Sequence, residues 1–306
     1  MAFDQRREYL FLYTVKDANP NGDPLNENHP RYDGDTAQAM ASDVRIKRTS
    51  RDEWVRADEL VFVDGKPKSL KTRFEELKKE TGQTSAREIM QKCLDIRLFG
   101  VTFALGNESF AWTGPVQFKW GRSLHSASFE FVQGTAAFAT EKKSEGKGTE
   151  DKQQRSFRNE YLVPFALMGV YAIANQHASQ ETGASEADLE KLVEGLWQGT
   201  DNLITRSKNE HKSRWLIEIT YKEGFNGKIG ALDDKVILLD REGNAMDRSR
   251  QKALRSLQEV SLDVEALLKA INAKQDQISS IKVITDGELK IIQEEQLKGI
   301  SHIEVR

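Results

Sequence analysis

A single cysteine in 306 residues, Cys93, excludes an intrachain disulfide and any cysteine-based zinc cluster, and it fits a reducing cytoplasm. Histidine is equally sparse. His29, His125, His177, His211 and His302 are scattered, and no two stand at metal-ligand spacing. No apolar run approaches the ~18 residues needed to span a bilayer, and no signal-peptide core is visible, so a soluble intracellular protein is expected. Gly-x-Ser-x-Gly, the Walker loop and the dinucleotide fingerprint are all absent, which removes the commonest hydrolase, nucleotidase and dehydrogenase signatures. Net basic charge is missing too. With 45 Lys and Arg against 48 Asp and Glu the formal charge is −3, so any nucleic-acid site has to be a local stripe. Hydrophobic content of 38% against 30% charged residues predicts a modest core with large solvated insertions.

What is present concentrates near the N-terminus. Tyr9 to Val15 is aromatic and β-branched and reads as a buried strand. The run Asn19-Pro-Asn-Gly-Asp-Pro24 stops it, because Pro lacks an N–H and Asn and Gly accept positive φ. A helix over Thr36–Trp54 is expected next, capped by Asp35 or Thr36. On it Arg45, Arg48 and Arg51 recur every third residue and, with Lys47, form one cationic stripe facing a polyanion. Two more basic clusters adjoin expected strands. The stretch Gly114 to His125 contains Gln117 and ends in a Gly121-Arg122-Ser123 turn. The stretch Thr205 to Arg214 contains Arg206 and Lys208.

Further along, Leu60–Val63 with Asp64-Gly65 reads as a hairpin, and Leu70–Lys79 and Ser85–Phe99 as helices. Strands are expected over Val101–Leu105, Ala111–Trp120, Ser126–Gln133 and Trp215–Tyr221, with a further one at Val236–Leu239. Tyr161–Ala174 returns to the core, Glu186–Trp197 is an amphipathic helix, and 249–272 reads as another. Residues 141–156 contain no apolar side chain, so they are expected to stay mobile or to order on binding. Arg155 and Arg158 flank Phe157 there, a combination suited to stacking on a base. The element order is β-α-β-β-α-β with insertions, an α+β ferredoxin-like or RNA-recognition-motif order.

Asp17, Asp23, Asp33, Asp35 and Asp43 crowd the first loop without matching an EF-hand, since Asn28 stands where the bidentate Glu belongs. They divide between two readings. One is a set of turn-shaping carboxylates; the other is a metal-dependent endoribonuclease using Asp17, Asp23, Asp33 or Asp35.

The blocks Asn19 to Pro24, Pro30-Arg31, Ser42-Asp-Val-Arg-Ile-Lys-Arg48, Asp95-Ile-Arg-Leu-Phe-Gly100 and Gly114 to His125, in this order over residues 8–222, resemble the CRISPR-associated Cas-seven superfamily, in particular its subtype I-B and I-C branch. The resemblance implies a modified RNA-recognition-motif palm spanning 1–306 as one domain. Fingers would be inserted at 55–92 and a thumb at 126–165, with a C-terminal extension over 223–306. It implies a non-catalytic subunit without cofactor that lines up in several copies along a CRISPR RNA. That filament would lie within a Cascade complex that pairs the guide with target DNA, beside other Cascade subunits and away from membranes. By position, Asn21, Arg31, Ser42, Arg45, Lys47, Arg48 and Arg51 would hold the guide. Gln117, Arg122 and Ser123 would line the palm, with Arg155, Phe157, Arg158, Arg206, Lys208 and Arg214 alongside. The tip of the thumb is nearly all polar where the family often has a bulky apolar residue, and Phe157 or Phe138 is the expected substitute.

Overall fold

The computed structural model describes the backbone of residues 1–139 and 155–306, and side chains outside residues 135–158. Most of the expected 141–156 loop, and the side chains of Phe138, Arg155, Phe157 and Arg158, lie outside the described residues.

Strand β1 (Arg7–Ala18) is the centre of a mixed nine-stranded sheet. It pairs antiparallel with Arg155–Ala174 on one side and His211–Tyr221 on the other, placing Phe11 opposite Val170 and Leu216. Beyond Arg155–Ala174 lie Val116–Phe118 and Gly121–Ser123; beyond His211–Tyr221 lie Ile278–Thr285 and, in parallel, His302–Val305. Among the β-α-β-β-α-β elements, the last strand therefore sits next to the first, then the third, then the second.

The period of two along β1 sends alternate residues to two cores. Phe11, Tyr13 and Val15 join the core beneath the two helices, while Leu10 and Leu12 join a second core. That second core is completed from the far end of the chain by Leu232, Leu257, Leu262 and Leu267. Both faces of the sheet around β1 are thus covered. A third, smaller core around Leu77, Ile89, Phe103 and Trp112 holds the helices Leu70–Thr81 and Ala86–Lys92 against the hairpin Gly100–Leu105/Glu108–Thr113.

Helix α1 (Asp43–Arg56) starts later than Thr36. Ala37 adopts φ +60°, and Met40–Ala41 pairs with Gly121–Arg122, so the chain reaches helical geometry only at Ser42. Ser42 caps it, its hydroxyl accepting from the Arg45 N–H at 3.3 Å. α1 lies against Glu186–Asp201, where two glycines one turn apart let the axes close in. A Cβ on Gly195 would stand 2.6 Å from Trp54 Nε1, and one on Gly199 would stand 2.8 Å from the Thr49 carbonyl oxygen. Trp54 then donates from Nε1 to the Lys191 carbonyl at 2.8 Å, locking the pair.

Three other expectations are corrected. Leu60–Val63 forms no hairpin. The Phe62 and Val63 N–H groups donate to the buried Asp95 carboxylate at 2.7 and 3.1 Å, and Arg73 donates to the Val61 and Phe62 carbonyls. Those backbone groups are satisfied by side chains, so no partner strand is needed. The helix expected over Ser85–Phe99 breaks at Cys93, whose ψ of 120° separates Ala86–Lys92 from Leu94–Phe99. The 249–272 helix is two helices, Arg248–Lys252 and Glu265–Asn272, interrupted by Val260–Asp263 pairing with Ile237–Asp240. Among the described residues no helix is long and apolar enough to cross a membrane.

Candidate nucleic-acid interface

The Pro- and Asn-rich loop after β1 is held by its own side chains. Asn19 donates from Nδ2 to the Asn28 carbonyl at 2.8 Å. Asn21 Oδ1 accepts from both the N–H and the hydroxyl of Ser42 at 2.9 Å, pinning the loop to the start of α1. Asp23 accepts from the Leu25 N–H and pairs with Arg31 at 3.5 Å. Asp33 accepts from the Asp35 and Thr36 N–H groups and from Arg122 at 2.7 Å; the Arg122 bond first, then these N–H groups, hold its carboxyl down at about 2. These acids shape turns. Among the described residues no group of three or more His, Cys, Asp or Glu could hold a metal ion.

The basic residues separate by what they touch. Arg51 donates to the fully buried Asp95 at 2.8 Å and lies over Phe99, so it carries the join between α1 and the 60s segment. Arg214 is held by Thr14, Asp286 and Glu288. Ser123 is buried between the Ala39 N–H and the His125 carbonyl. Lys47 and Arg48 pair with Asp43 and Asp52 one turn away, at 3.2 and 2.7 Å; such half-exposed pairs are weak and readily exchange partners. Arg122 holds Asp33, Arg206 is exposed and 3.8 Å from Glu160, and Gln117 donates to the Gly114 carbonyl.

Arg45 and Lys208 differ from all of these. Among the described residues neither has a carboxylate partner within ion-pair distance. Arg45 lines a cavity of about 20 Å³ with Tyr13, Thr49, Thr200 and His211. Burial lowers both, Arg45 from its ordinary value and Lys208 to about 8, with Arg45 itself adding to the effect on Lys208. The segment bearing Lys208 is fixed beside the loop by the Asn19 N–H donating to the Ser207 carbonyl at 2.8 Å. The α1 cations, the Asn/Pro loop and the 205–211 segment therefore meet at one end of the sheet.

Two features here escaped the sequence reading. His211 is buried with neither ring nitrogen hydrogen-bonded, and it had been visible only as one more residue of the Thr205–Arg214 run. An aromatic patch stands at the foot of the antiparallel ribbon Glu130–Ala139/Arg155–Ala174. His29 lies between Tyr161 (4.7 Å) and Phe129 (5.5 Å), Tyr32 meets Phe129 edge-on, and Phe131, 52% exposed, leans on Tyr161 at 5.1 Å. Nearby in sequence to Arg122, the half-exposed Trp120 lies under the Arg31 guanidinium at 5.9 Å. These aromatics come from four separate stretches of chain, so no window of sequence displays them together.

A profile of the family described as CRISPR-associated protein Cas7 matches residues 5–265. A protein of that description from Haloferax volcanii is 27% identical over 316 residues, covering 94% of this chain and 88% of its own. Among solved structures, a chain of a CRISPR RNA-guided surveillance complex in a pre-nicking state superposes with a TM-score of 0.55 at 12% identity, covering 98% of this chain and 96% of that one. A chain of another CRISPR RNA-guided surveillance complex gives 0.53 at 13%, covering 98% and 94%. At such identities these two likenesses concern the fold.

Proposed function

The chain belongs to the CRISPR-associated protein Cas7 family, and from that premise we propose that it is the CRISPR RNA-binding backbone subunit of a type I Cascade interference complex. Its part is non-catalytic: it grips the sugar-phosphate backbone of the guide and leaves the bases free to pair with target DNA. The β-α-β-β-α-β unit supports reading the centre as a modified RNA-recognition-motif palm, with 55–92 as fingers, 126–165 as thumb and 223–306 as an extension. Unlike a bare palm, this one has both sheet faces covered around β1, so the guide runs across the loop end of the sheet. The observation that carries the reading is Arg45 and Lys208 lying there close enough to act on each other with, among the described residues, no carboxylate within ion-pair distance of either, since desolvated cations without acids are matched by phosphate. Lys47 and Arg48 can add phosphate contacts by exchanging their weak partners. The aromatic patch around Phe131 and Tyr161 offers a face for a displaced base.

Charge reversal of Arg45 together with Lys208 is expected to weaken guide binding roughly tenfold per residue, equally for unrelated spacer sequences, because phosphate contacts carry no base information. The log–log salt slope should fall by about 0.7 per lost contact on single-stranded RNA. Fluorescence anisotropy with several spacers measures both, and losses confined to some spacers would overturn the backbone assignment. Arg51 is unsuited to this test, because reversing it would also leave Asp95 unpaired.

Assembly follows from the same geometry. A protomer that holds an extended guide and meets the next head to tail makes an open, heterologous contact. Light scattering on guides of increasing length should show mass rising in steps of one subunit. A closed dimer indifferent to RNA length would refute the filament.

A further inference from the structure

We infer that the cavity lined by Arg45 and His211 is a seat for one phosphodiester oxygen, and that His211 takes up a proton from solvent as that oxygen enters. This rests on the RNA-backbone reading above and adds to it a residue and a proton.

The cavity holds about 20 Å³, room for one water-sized group and too little for a base or a sugar. His211 is 5% exposed, and both its Nδ1 and Nε2 lack any partner. Buried imidazole nitrogens are ordinarily bonded, and a buried orphan is costly, so a ring with no protein partner lining a small opening of mixed polarity is suited to bind a group of that size.

The surroundings define that group. From α1 come the Arg45 guanidinium and Thr49, whose hydroxyl is already donated to the Arg45 carbonyl at 3.2 Å. From the 205–210 segment comes the Lys208 ammonium, which with Arg45 opposes a proton on His211. From β1, Tyr13 stacks on the ring with centroids 6.0 Å apart, and burial keeps its phenol protonated. From Glu186–Asp201 come Leu196 and Thr200, both uncharged, with Leu203 just beyond. The nearest acids are occupied elsewhere: Asp52 by Arg48, and Asp201 by Lys212 and the Ser213 N–H. One guanidinium and a histidine line the opening, Lys208 acts on both from nearby, and no carboxylate lines it, a set that suits an anion better than a metal ion.

His211 is held neutral by its surroundings, since burial first and the two cations next push its pKa down to about 3. A phosphate oxygen beside the ring offsets one of the two nearby positive charges and gives the imidazole an acceptor, so the ring's pKa rises. The protonated imidazole then donates to that oxygen alongside Arg45, and the orphan is satisfied. Binding through this seat therefore consumes a proton and strengthens as pH falls, by at most about tenfold per pH unit.

Guide RNA binding by the intact protein, measured between about pH 7.5 and 5.5, should tighten severalfold, and His211→Gln should flatten that profile while still binding RNA. Calorimetry of the unsubstituted protein in two buffers of different ionisation enthalpy should report proton uptake approaching about one per bound subunit, which guards against a variant that folds poorly. Inorganic phosphate is the comparison ligand. If it takes up the same proton and RNA does not, the seat serves free anions and the inference fails. If protein and variant bind RNA with one shared pH profile and no proton uptake, the inference fails while the backbone reading stands. If neither binds RNA at any pH, the backbone reading itself fails.

Discussion

Glu8→Ala is expected to lower the unfolding free energy by about 3–5 kcal/mol, the summed cost of several buried donors left without their acceptor at about 1–3 kcal/mol each. Glu8 lies in β1 on the face away from the helices and is fully buried. Its carboxyl accepts from the Tyr171 hydroxyl at 2.6 Å, from the Tyr221 hydroxyl, and from the Ile229 and Gly230 N–H groups, both at 2.7 Å. All four partners are donors, so an acceptor suits the position; alanine would strand the Tyr171 and Tyr221 hydroxyls and the Gly230 N–H, while the Ile229 N–H keeps its bond to the Tyr221 hydroxyl at 2.9 Å. The two N–H groups belong to the turn that leads into residues 232–306, so this one side chain fastens the C-terminal third to the central sheet. Glu8→Gln places an NH₂ among donors and should fall between alanine and the native residue. Urea unfolding would measure both. A loss under about 1 kcal/mol for alanine would show that the network is not what holds the extension.

That network marks where sequence reading stops. The strands at Tyr9–Val15 and Trp215–Tyr221 were legible because apolar and β-branched side chains crowd them, and each lies inside an observed strand; Tyr161–Ala174 was legible only as an apolar return to the core and is part of the strand Arg155–Ala174. Glu186–Trp197 was legible because its leucines keep one face, and the helix runs on to Asp201. What misled was long-range pairing. The leucines of 249–272 keep a helical spacing, yet Val260–Asp263 finds Ile237–Asp240 and becomes a strand, since a partner in space outweighs local propensity. Leu60–Val63 failed as a hairpin for the reverse reason, because Asp95, over thirty residues later, claims its N–H groups.

The candidate site was legible as a list of cations and not as a set of roles. Regular spacing put Arg45, Arg48 and Arg51 on one stripe, but spacing carries no record of which acid stands opposite. Asp95 comes from a different helix and makes Arg51 structural; among the described residues no acid comes within ion-pair distance of Arg45. The aromatic patch assembles His29, Tyr32, Phe129, Phe131 and Tyr161 only after the first loop folds back on the ribbon.

Acid should destabilise this protein well before its carboxylates titrate. Two buried histidines, His125 and His211, are held down to about 4 and about 3, in both cases first by desolvation. His125 has a second reason to stay neutral: Nδ1 bonds the Ser126 carbonyl while Nε2 accepts from the Leu167 N–H, and a proton on Nε2 would break the latter bond. In the unfolded chain both rings titrate near their ordinary value of about 6.5. Below that value the unfolded state binds two protons that the folded state refuses, so stability falls as pH falls. Each ring loses up to about 1.4 kcal/mol per pH unit. Between about pH 6.5 and 5 the pair should therefore remove roughly 3 kcal/mol, a large share of a typical domain's stability. The loss from His125 levels off below its folded value of about 4 and that from His211 below about 3. Arg-paired acids such as Asp33, held at about 2, lose their contribution only between the unfolded value of about 3.9 and about 2, which leaves the window above about pH 5 to the histidines. Urea midpoints in phosphate-free buffer at several pH values measure the slope, and His211→Gln should remove about half of it, one of two equivalent protons. An unchanged slope in that variant would mean that His211 is already charged or solvated in the folded state. The seat inferred for a phosphate oxygen would then lose the neutral, unpartnered ring on which it depends.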